Sequence, residues 1–217
     1  MVRVLALTRY ARKGASSRVR MLQYLPHLER LGDRITVHSL LPEAYLDRLY
    51  VGGDRQVAVV AKACAERLAA VLRHRDVNVI WLQREIIPFA PFFMEKLLMA
   101  GRKIVADFDD AHHLYYKNLK AGWAQTLYGD KIERLMRLAD AVTVGNCTLA
   151  DYARAVGARQ VHFIPSAVDT TRFGTAPAPD PFTVGWIGTP MTAEDAMPLV
   201  QAPLTRRSED TRLNSSH

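Results

Sequence analysis

The sequence predicts an α/β domain, a parallel Rossmann-like sheet with helices on both faces. Three observations carry this expectation. Short β-rich apolar runs alternate with segments of roughly ten to twenty residues whose apolar positions recur at helical spacing. Glycine and proline fall between the two kinds of segment, where helices and strands end. No repeat of solenoid length interrupts the alternation. Strands that alternate with helices pair in parallel, because each helix carries the chain back across a face of the sheet.

VRVLALT (Val2–Thr8) opens the chain as a strand, and the polar RYARKGASSRVR follows, flexible around Gly14. SSRVRMLQYLPHLERLG predicts a helix capped by Ser16 or Ser17, with Val19, Leu22, Leu25 and Leu28 at helical spacing. Pro26 gives it a kink or a late start, and Gly32 closes it. DRITVHSL alternates as a half-buried strand does, and DRQVAVVAKACAERLAAVLRHR is an alanine-rich amphipathic helix. DVNVIWLQ is a strand; PFAPFFMEKLLMAG is a helix with proline near its start and glycine at its end; RKIVADF is a strand. GDKIERLMRLA continues as a helix, DAVTVG as a strand, NCTLADYARAVG as a short helix capped by Asn146, and RQVHFIP as a strand.

This first domain is expected over residues 1–173. GTAPAPDP (174–181), half glycine and proline, reads as a linker. FTVGWIG then opens a fresh βα unit over 182–204, too short to close a domain of its own. Residues 205–217 read as a non-native or disordered tail, since RRSEDTRLNSSH has no apolar periodicity and TRLNSSH is similar to the translation of a common sequencing adapter.

Composition narrows the function classes. The chain has 217 residues, 49% of them hydrophobic, and two cysteines, Cys64 and Cys147, far apart and in no CxxC pair. That argues against structural zinc and a disulfide framework, and fits a reducing cytosol. No apolar run reaches the roughly eighteen residues of a membrane span. The expectation is a soluble cytoplasmic protein, with peripheral contact at the inner membrane face as an option. The net charge of +7 suits anionic partners such as phosphorylated substrates or an acidic membrane. Basic–aromatic alternation of the single-strand-binding kind is lacking, so nucleic acid is not expected.

In open parallel sheets ligands bind beyond the carboxyl ends of the strands. TRYARKGASSR, QREIIP, DFDDAHH, GN and PSAVD occupy such ends. Of these, DFDDAHH raises three readings for Asp107, Asp109 and Asp110: a metal site, loop capping, or contacts to substrate hydroxyls and a nearby arginine such as Arg84. The spacing disfavours metal, and His112 and His113, adjacent in an extended segment, would point apart. KGASSR is basic and glycine-bearing but neither GxGxxG nor a Walker loop, and Ser16 and Arg18 lie where a phosphate or carboxylate could be held. Arg84 and Glu85 follow a buried strand directly, where charges need pairing or a solvated cleft.

ADAVTVGNCTLADYARAVGARQVHFIPSAVDTTRF resembles the end of the N-terminal domain of GT-B glycosyltransferases of the large family 4 group. Asp140, Asn146, Leu149, Gly157, Ile164, Pro165, Val168, Asp169 and Phe173 match its pattern, although IPSAVD has Ser-Ala where Asn-Gly is usual. FTVGWIGTP is similar to the first strand and loop of the donor-binding domain of that family. The resemblance runs from about Val2 to Val200. It implies the N-terminal half of a GT-B fold and transfer of a sugar from a nucleotide-sugar co-substrate to a carbohydrate, lipid-linked or other acceptor. It also implies retained configuration and no metal or other cofactor. Gly14, Gly188 and Thr189 would then face the donor. Ser16, Arg18, Asp107, Asp110 and His112 would face the acceptor, and Arg84, Glu85 and Asp109 would stand at the reacting centre. The donor domain's basic pair and paired glutamates would lie beyond Val200, so the chain by itself is expected to be inactive. Two alternatives remain open: a sugar-nucleotide epimerase on the same fold, and a non-catalytic binder of anionic ligands.

Overall fold

The computed structural model describes residues 1–51, 56–172 and 196–206. Six parallel strands form its sheet: β1 (Arg3–Tyr10), β2 (Arg34–Leu41), β3 (Val79–Gln83), β4 (Lys103–Phe108), β5 (Ala141–Val144) and β6 (Val161–Phe163). They lie in the order β2-β1-β3-β4-β5-β6. The expected parallel α/β fold, Rossmann-like with interleaved helices, is therefore present.

Among the described residues nine α-helices connect the strands: α1 (Ala15–Arg20), α2 (Leu25–Arg30), α3 (Glu43–Tyr50), α4 (Val57–Arg73), α5 (Phe92–Met99), α6 (His112–Lys117), α7 (Gly122–Tyr128), α8 (Lys131–Leu138) and α9 (Cys147–Ala155). A further helix covers 196–206. The chain divides into two compact units, one of Met1–Leu46 with Arg55–Asp169 and one of Asp47–Asp54 with Thr170–His217. The sheet belongs to the first. The linker read at 174–181 lies outside the described residues, as do Gly188 and Thr189; of the 182–204 stub only the part from 196 is described.

Alternation along the strands sorts the two faces of the sheet. Leu5, Leu7, Ile80, Leu82, Ile104, Phe108, Val142 and Val144 share one core with Val71 of α4, Leu98 of α5, Ile132 and Leu135 of α8 and Leu149 of α9. Burial of these large aliphatic side chains, about 1.5–3 kcal/mol each, is the main force holding the helices on this side. On the other face Val4, Val79, Trp81, Val105 and Thr143 line a cavity of about 360 Å³, closed in part by Arg20 of α1 and by Tyr24 and Leu28.

Local signals account for most ends. Asn146 caps α9 as expected, its Oδ1 accepting from the Leu149 amide at 2.8 Å. Gly32 and Gly157 follow α2 and α9 with φ of +88° and +90°, a conformation that glycine adopts without a Cβ penalty. The single helix expected from Ser16 to Gly32 is instead two helices joined by a 3-10 turn at Leu22–Tyr24, and the second begins at Pro26's turn. Pro26 cannot donate to a preceding turn, so the late-start option is the one adopted. Gly14, not a serine, stands at the first helix's N-cap, because Ser17 is drawn inward to the sheet.

Candidate functional site

The strand order reverses between β1 and β3: the chain leaves β1 toward β2 on one side and returns to β3 on the other. Loops after these two strands diverge, which leaves a crevice at their carboxyl ends. Gln83, the last residue of β3, ties its walls together. Its Oε1 accepts from the Arg9 amide at 2.8 Å and from Ser17 Oγ at 2.7 Å, and Ser17 Oγ accepts from the Tyr10 amide at 3.0 Å. Because the Arg9 amide can only donate, the Gln83 oxygen faces it and the side-chain nitrogen faces the other way.

Arg84 comes next with φ +68°, a left-handed conformation that costs a non-glycine residue on the order of 1 kcal/mol or more. Its amide donates to the Asp107 carbonyl at 3.0 Å. Its guanidinium Nη2 reaches both Asp109 Oδ1 and Asp110 Oδ2 at 3.1 Å. Burial alone would raise Asp109, but Arg84 and a hydrogen bond from Ser16 hold it below the ordinary carboxylate range. Asp110 is exposed. Among the described residues no group of three or more His, Cys, Asp or Glu is placed to hold a metal ion, and Arg84 supplies the positive charge between the two aspartates.

Glu85 turns inward. Its carboxylate meets Lys131 Nζ at 2.6 Å, accepts from Tyr116 Oη at 2.7 Å, and lies 3.4 Å from His112 Nε2 and 3.8 Å from Arg9 Nη1. Lys131 also pairs with Glu95 at 3.0 Å, and Glu95 accepts the Ile86 and Ile87 amides. Burial works against the charge on Glu85, yet His112, Lys131 and Tyr116 together bring its pKa down to about 2. Glu95 goes the other way: burial raises it, and Lys131 offsets only part of that. Burial, with Glu85 alongside, likewise pushes the Tyr116 hydroxyl up.

Asp107 is separated from its neighbours by the pleat. It is buried, with Oδ1 accepting from Arg20 Nη2 at 2.7 Å and from Thr143 Oγ1 at 2.6 Å, and Oδ2 from Arg20 Nε at 3.1 Å. Arg20 Nη1 donates to the Ile164 carbonyl. Burial opposes charge on both partners. On Arg20 the Asp107 hydrogen bond prevails and raises the pKa; on Asp107 burial prevails over Arg20 and Thr143. The bidentate fork decides for the ionised pair, since both carboxylate oxygens accept from a guanidinium that does not deprotonate.

The structure thus brings together Ser16, Arg84, Asp109 and Asp110 on one side and Glu85 and His112 on the other. It keeps Asp107 with Arg20 and gives Arg84 and Glu85 separate partners. Arg18 is exposed and donates to the Arg12 and Lys13 carbonyls, ordering its own loop. Gly14 sits against Tyr10, where an added Cβ would lie 2.4 Å from the Tyr10 Cβ; its small size serves loop packing. His112 and His113 do diverge, but within a helix, His113 stacking on Tyr152 with centroids 3.8 Å apart.

Sequence reading missed Arg9 and Gln83. Arg9 Nε, Gln83 Nε2 and Arg84 Nε are buried donors with no hydrogen-bond partner among the described residues. All three lie at the ends of adjacent strands β1 and β3. Buried donors left unpaired cost about 1–3 kcal/mol each; His113 Nδ1 on α6 is a fourth buried side-chain nitrogen with no partner among the described residues. Gln83 carried a detectable signal, a polar residue closing a strand of buried aliphatics.

No protein-family model matches the sequence, and no curated protein matches it. No helix among the described residues is long and apolar enough to cross a membrane.

Proposed function

We propose that this chain holds a sugar-bearing acceptor at the carboxyl ends of β1, β3 and β4, as the acceptor side of a glycosyltransferase that draws on a nucleotide-sugar. The observation that carries the reading is the trio of unpartnered donors, Arg9 Nε, Gln83 Nε2 and Arg84 Nε, beside the Arg84-bridged Asp109 and Asp110. A polyhydroxylated ligand matches both halves of that arrangement: its oxygens accept from the trio and its hydroxyls donate to the aspartates. The resemblance of residues 139–173 to GT-B enzymes of family 4 supports the same reading and adds metal independence and retention of configuration. On this reading Arg84 and Asp109 position the acceptor, and Glu85 acts through His112 and not on substrate directly.

The test is binding, followed by transfer. Amide resonances of Gln83, Arg84, Asp109 and Asp110 should shift on titration with acceptor saccharides, and Asp109→Asn and Asp110→Asn should each weaken binding about tenfold. Joined to a donor domain, the protein should transfer sugar in the presence of EDTA. Activity that vanished with EDTA and returned with manganese would defeat the metal-independent reading. The two arginines at the crevice favour a second reading, a non-catalytic binder of anionic ligands. It predicts binding of phosphorylated ligands without a sugar requirement and a steep loss with salt.

A further inference from the structure

The loop after β3 is strained at both ends. Arg84 and Phe89 are the two non-glycine residues with positive φ among the described residues, at +68° and +57°. Such backbone persists only where its surroundings fix it, and ligand clamps are one place where they do. Here the buried charge cluster around Glu85 and Glu95 does the fixing. Glu95 accepts the Ile86 and Ile87 amides, and Lys131 Nζ donates to the Ile87 carbonyl at 2.7 Å. Tyr116 Oη accepts from the Phe89 amide at 3.1 Å and donates to Glu85 at 2.7 Å. Three buried side chains thus pin one short loop from below, and Phe89 at its end is 42% exposed.

The Phe89 ring lies edge-on to Tyr115 of α6, centroids 6.0 Å apart, and Tyr115 is 50% exposed. Tyr115 in turn lies parallel to His112, with centroids 5.7 Å apart and planes 5° apart. His112 adjoins the aspartates: its amide donates to the Asp110 carbonyl at 2.7 Å, and its Nε2 lies 3.4 Å from Glu85. An unbroken series of contacts therefore leads from the Arg84-bridged aspartates through His112 to a pair of exposed aromatic rings. Tyr115 stands three residues past His112, about 4.5 Å further along the helix. An aromatic face carries the negative side of the ring quadrupole and attracts weakly positive C–H bonds. A pyranose offers such C–H bonds on one face, with its hydroxyls at the rim. Charge separates it from a flat nucleotide: Asp110 is exposed beside the start of α6, where a phosphate would meet a like charge and a neutral sugar ring would not.

We propose that Phe89 and Tyr115 form a shelf for a second sugar ring, so that the acceptor is a saccharide of at least two units, with one ring at Arg84, Asp109 and Asp110 and the next stacked on Tyr115. The proposal rests on the sugar-binding reading above and adds to it a minimum length and a ring face. It also gives the buried charge cluster a task. A shelf already ordered before the ligand arrives loses little freedom on binding.

The 217-residue chain is titrated, by calorimetry and NMR, with methyl glucoside, methyl galactoside and methyl mannoside, with cellobiose, galactobiose and mannobiose, and with uridine diphosphate. For the sugar that binds, the disaccharide should bind about fivefold or more tightly than the methyl monosaccharide. It should also shift the ring resonances of Phe89 and Tyr115, which the monosaccharide should leave in place. Tyr115→Ala and Tyr115→Leu should each bring the disaccharide down to the monosaccharide level. Tyr115→Phe should keep the preference, because the ring face and not the hydroxyl makes the contact. Leucine retains apolar bulk at this exposed position, so the circular dichroism of that variant should match the parent, and its loss of binding reports the missing ring. The proposal is overturned if disaccharide and monosaccharide bind equally while the Arg84, Asp109 and Asp110 amides shift, a result that leaves the sugar-binding reading standing. It is overturned as well if uridine diphosphate, and no saccharide, moves Tyr115. If none of the saccharides binds, both readings fall together.

Discussion

Arg84 and Glu85 are neighbours in the chain and opposites in their surroundings. Glu85 sits in a closed network: Lys131, Tyr116 and His112 surround its carboxylate, and Lys131 is shared with Glu95. Arg84 sits in an open one. Its backbone is left-handed, one of its donors is unpartnered among the described residues, and one of its two aspartates is exposed. Saturation is what separates them. A buried polar group with every bond made holds the fold in one arrangement, whereas one held in place with bonding capacity to spare is equipped to receive something. Substitutions in the closed network should therefore cost stability, and substitutions in the open one should cost binding.

The largest effect should come from the centre of the closed network. Lys131→Met leaves Glu85 and Glu95 buried without a cation and should lower the unfolding free energy by about 3–5 kcal/mol in urea titrations. A loss under about 1 kcal/mol would break the comparison. Asp107 sharpens it. By sequence Asp107 belongs with Asp109 and Asp110, but by structure it belongs with the closed group, forked to Arg20. Asp107→Asn should cost about 3 kcal/mol of stability, while Asp109→Asn, half-open beside Arg84, should cost about 1 kcal/mol or less.

The pH dependence follows from Glu85. Its folded pKa lies below that of the unfolded chain, so its contribution is fully present above about pH 4.5 and is lost as pH falls toward about 2. The stability difference between the parent and Glu85→Gln should be constant near neutrality and close over that acid window. Glu95 has the opposite sign. Its folded pKa is raised, so its ionisation costs stability as pH climbs above the unfolded value, and the stability lost in Glu95→Gln should be smaller at neutral pH than below that value. The smallest stability change should be that of Arg84→Gly. Relief of the positive φ offsets two part-exposed ion pairs, leaving the unfolding free energy within about 1 kcal/mol of the parent. Acceptor binding should nonetheless drop about tenfold or more. A variant that bound normally would remove Arg84 from the site.

Much of the fold was readable because its signals are local and repeated. All six strands and the positions of Asn146, Gly32 and Gly157 follow from residue type and period. Helices α3, α6 and α7 escaped notice. At six to eight residues they span barely two turns, and HHLYYK shows no apolar face until Tyr116 is packed against Glu85 and Phe89. The site was legible as a place and only partly as a set of contacts. That DFDDAHH and QREIIP lie at strand ends is a property of the pattern. Which aspartate takes which arginine depends on the pleat and on α1, since Asp107 points with Thr143 toward Arg20 while Asp109 and Asp110 leave the strand toward Arg84. The sharing of Lys131 between Glu85 and Glu95 joins residues 46 and 36 positions apart, and no local pattern encodes it.

The order of the strands also sets a schedule for synthesis. β1 lies inside the sheet, with β2 on one flank and β3 on the other, and its registry with β3 joins Val4 to Val79 and Leu7 to Leu82. A nascent chain that has released β1 must therefore extend by 75 residues before the second flank exists. At about 5–20 residues per second that is a wait of roughly 4–15 seconds, long compared with the microseconds of helix formation. During it the aliphatic stretch Leu5–Leu7 has only β2 as a strand neighbour. A ribosome-bound intermediate of this length leaves one edge of β1 unpaired, and slowing translation before Val79 should prolong that exposure, while slowing it after Gln83 should not.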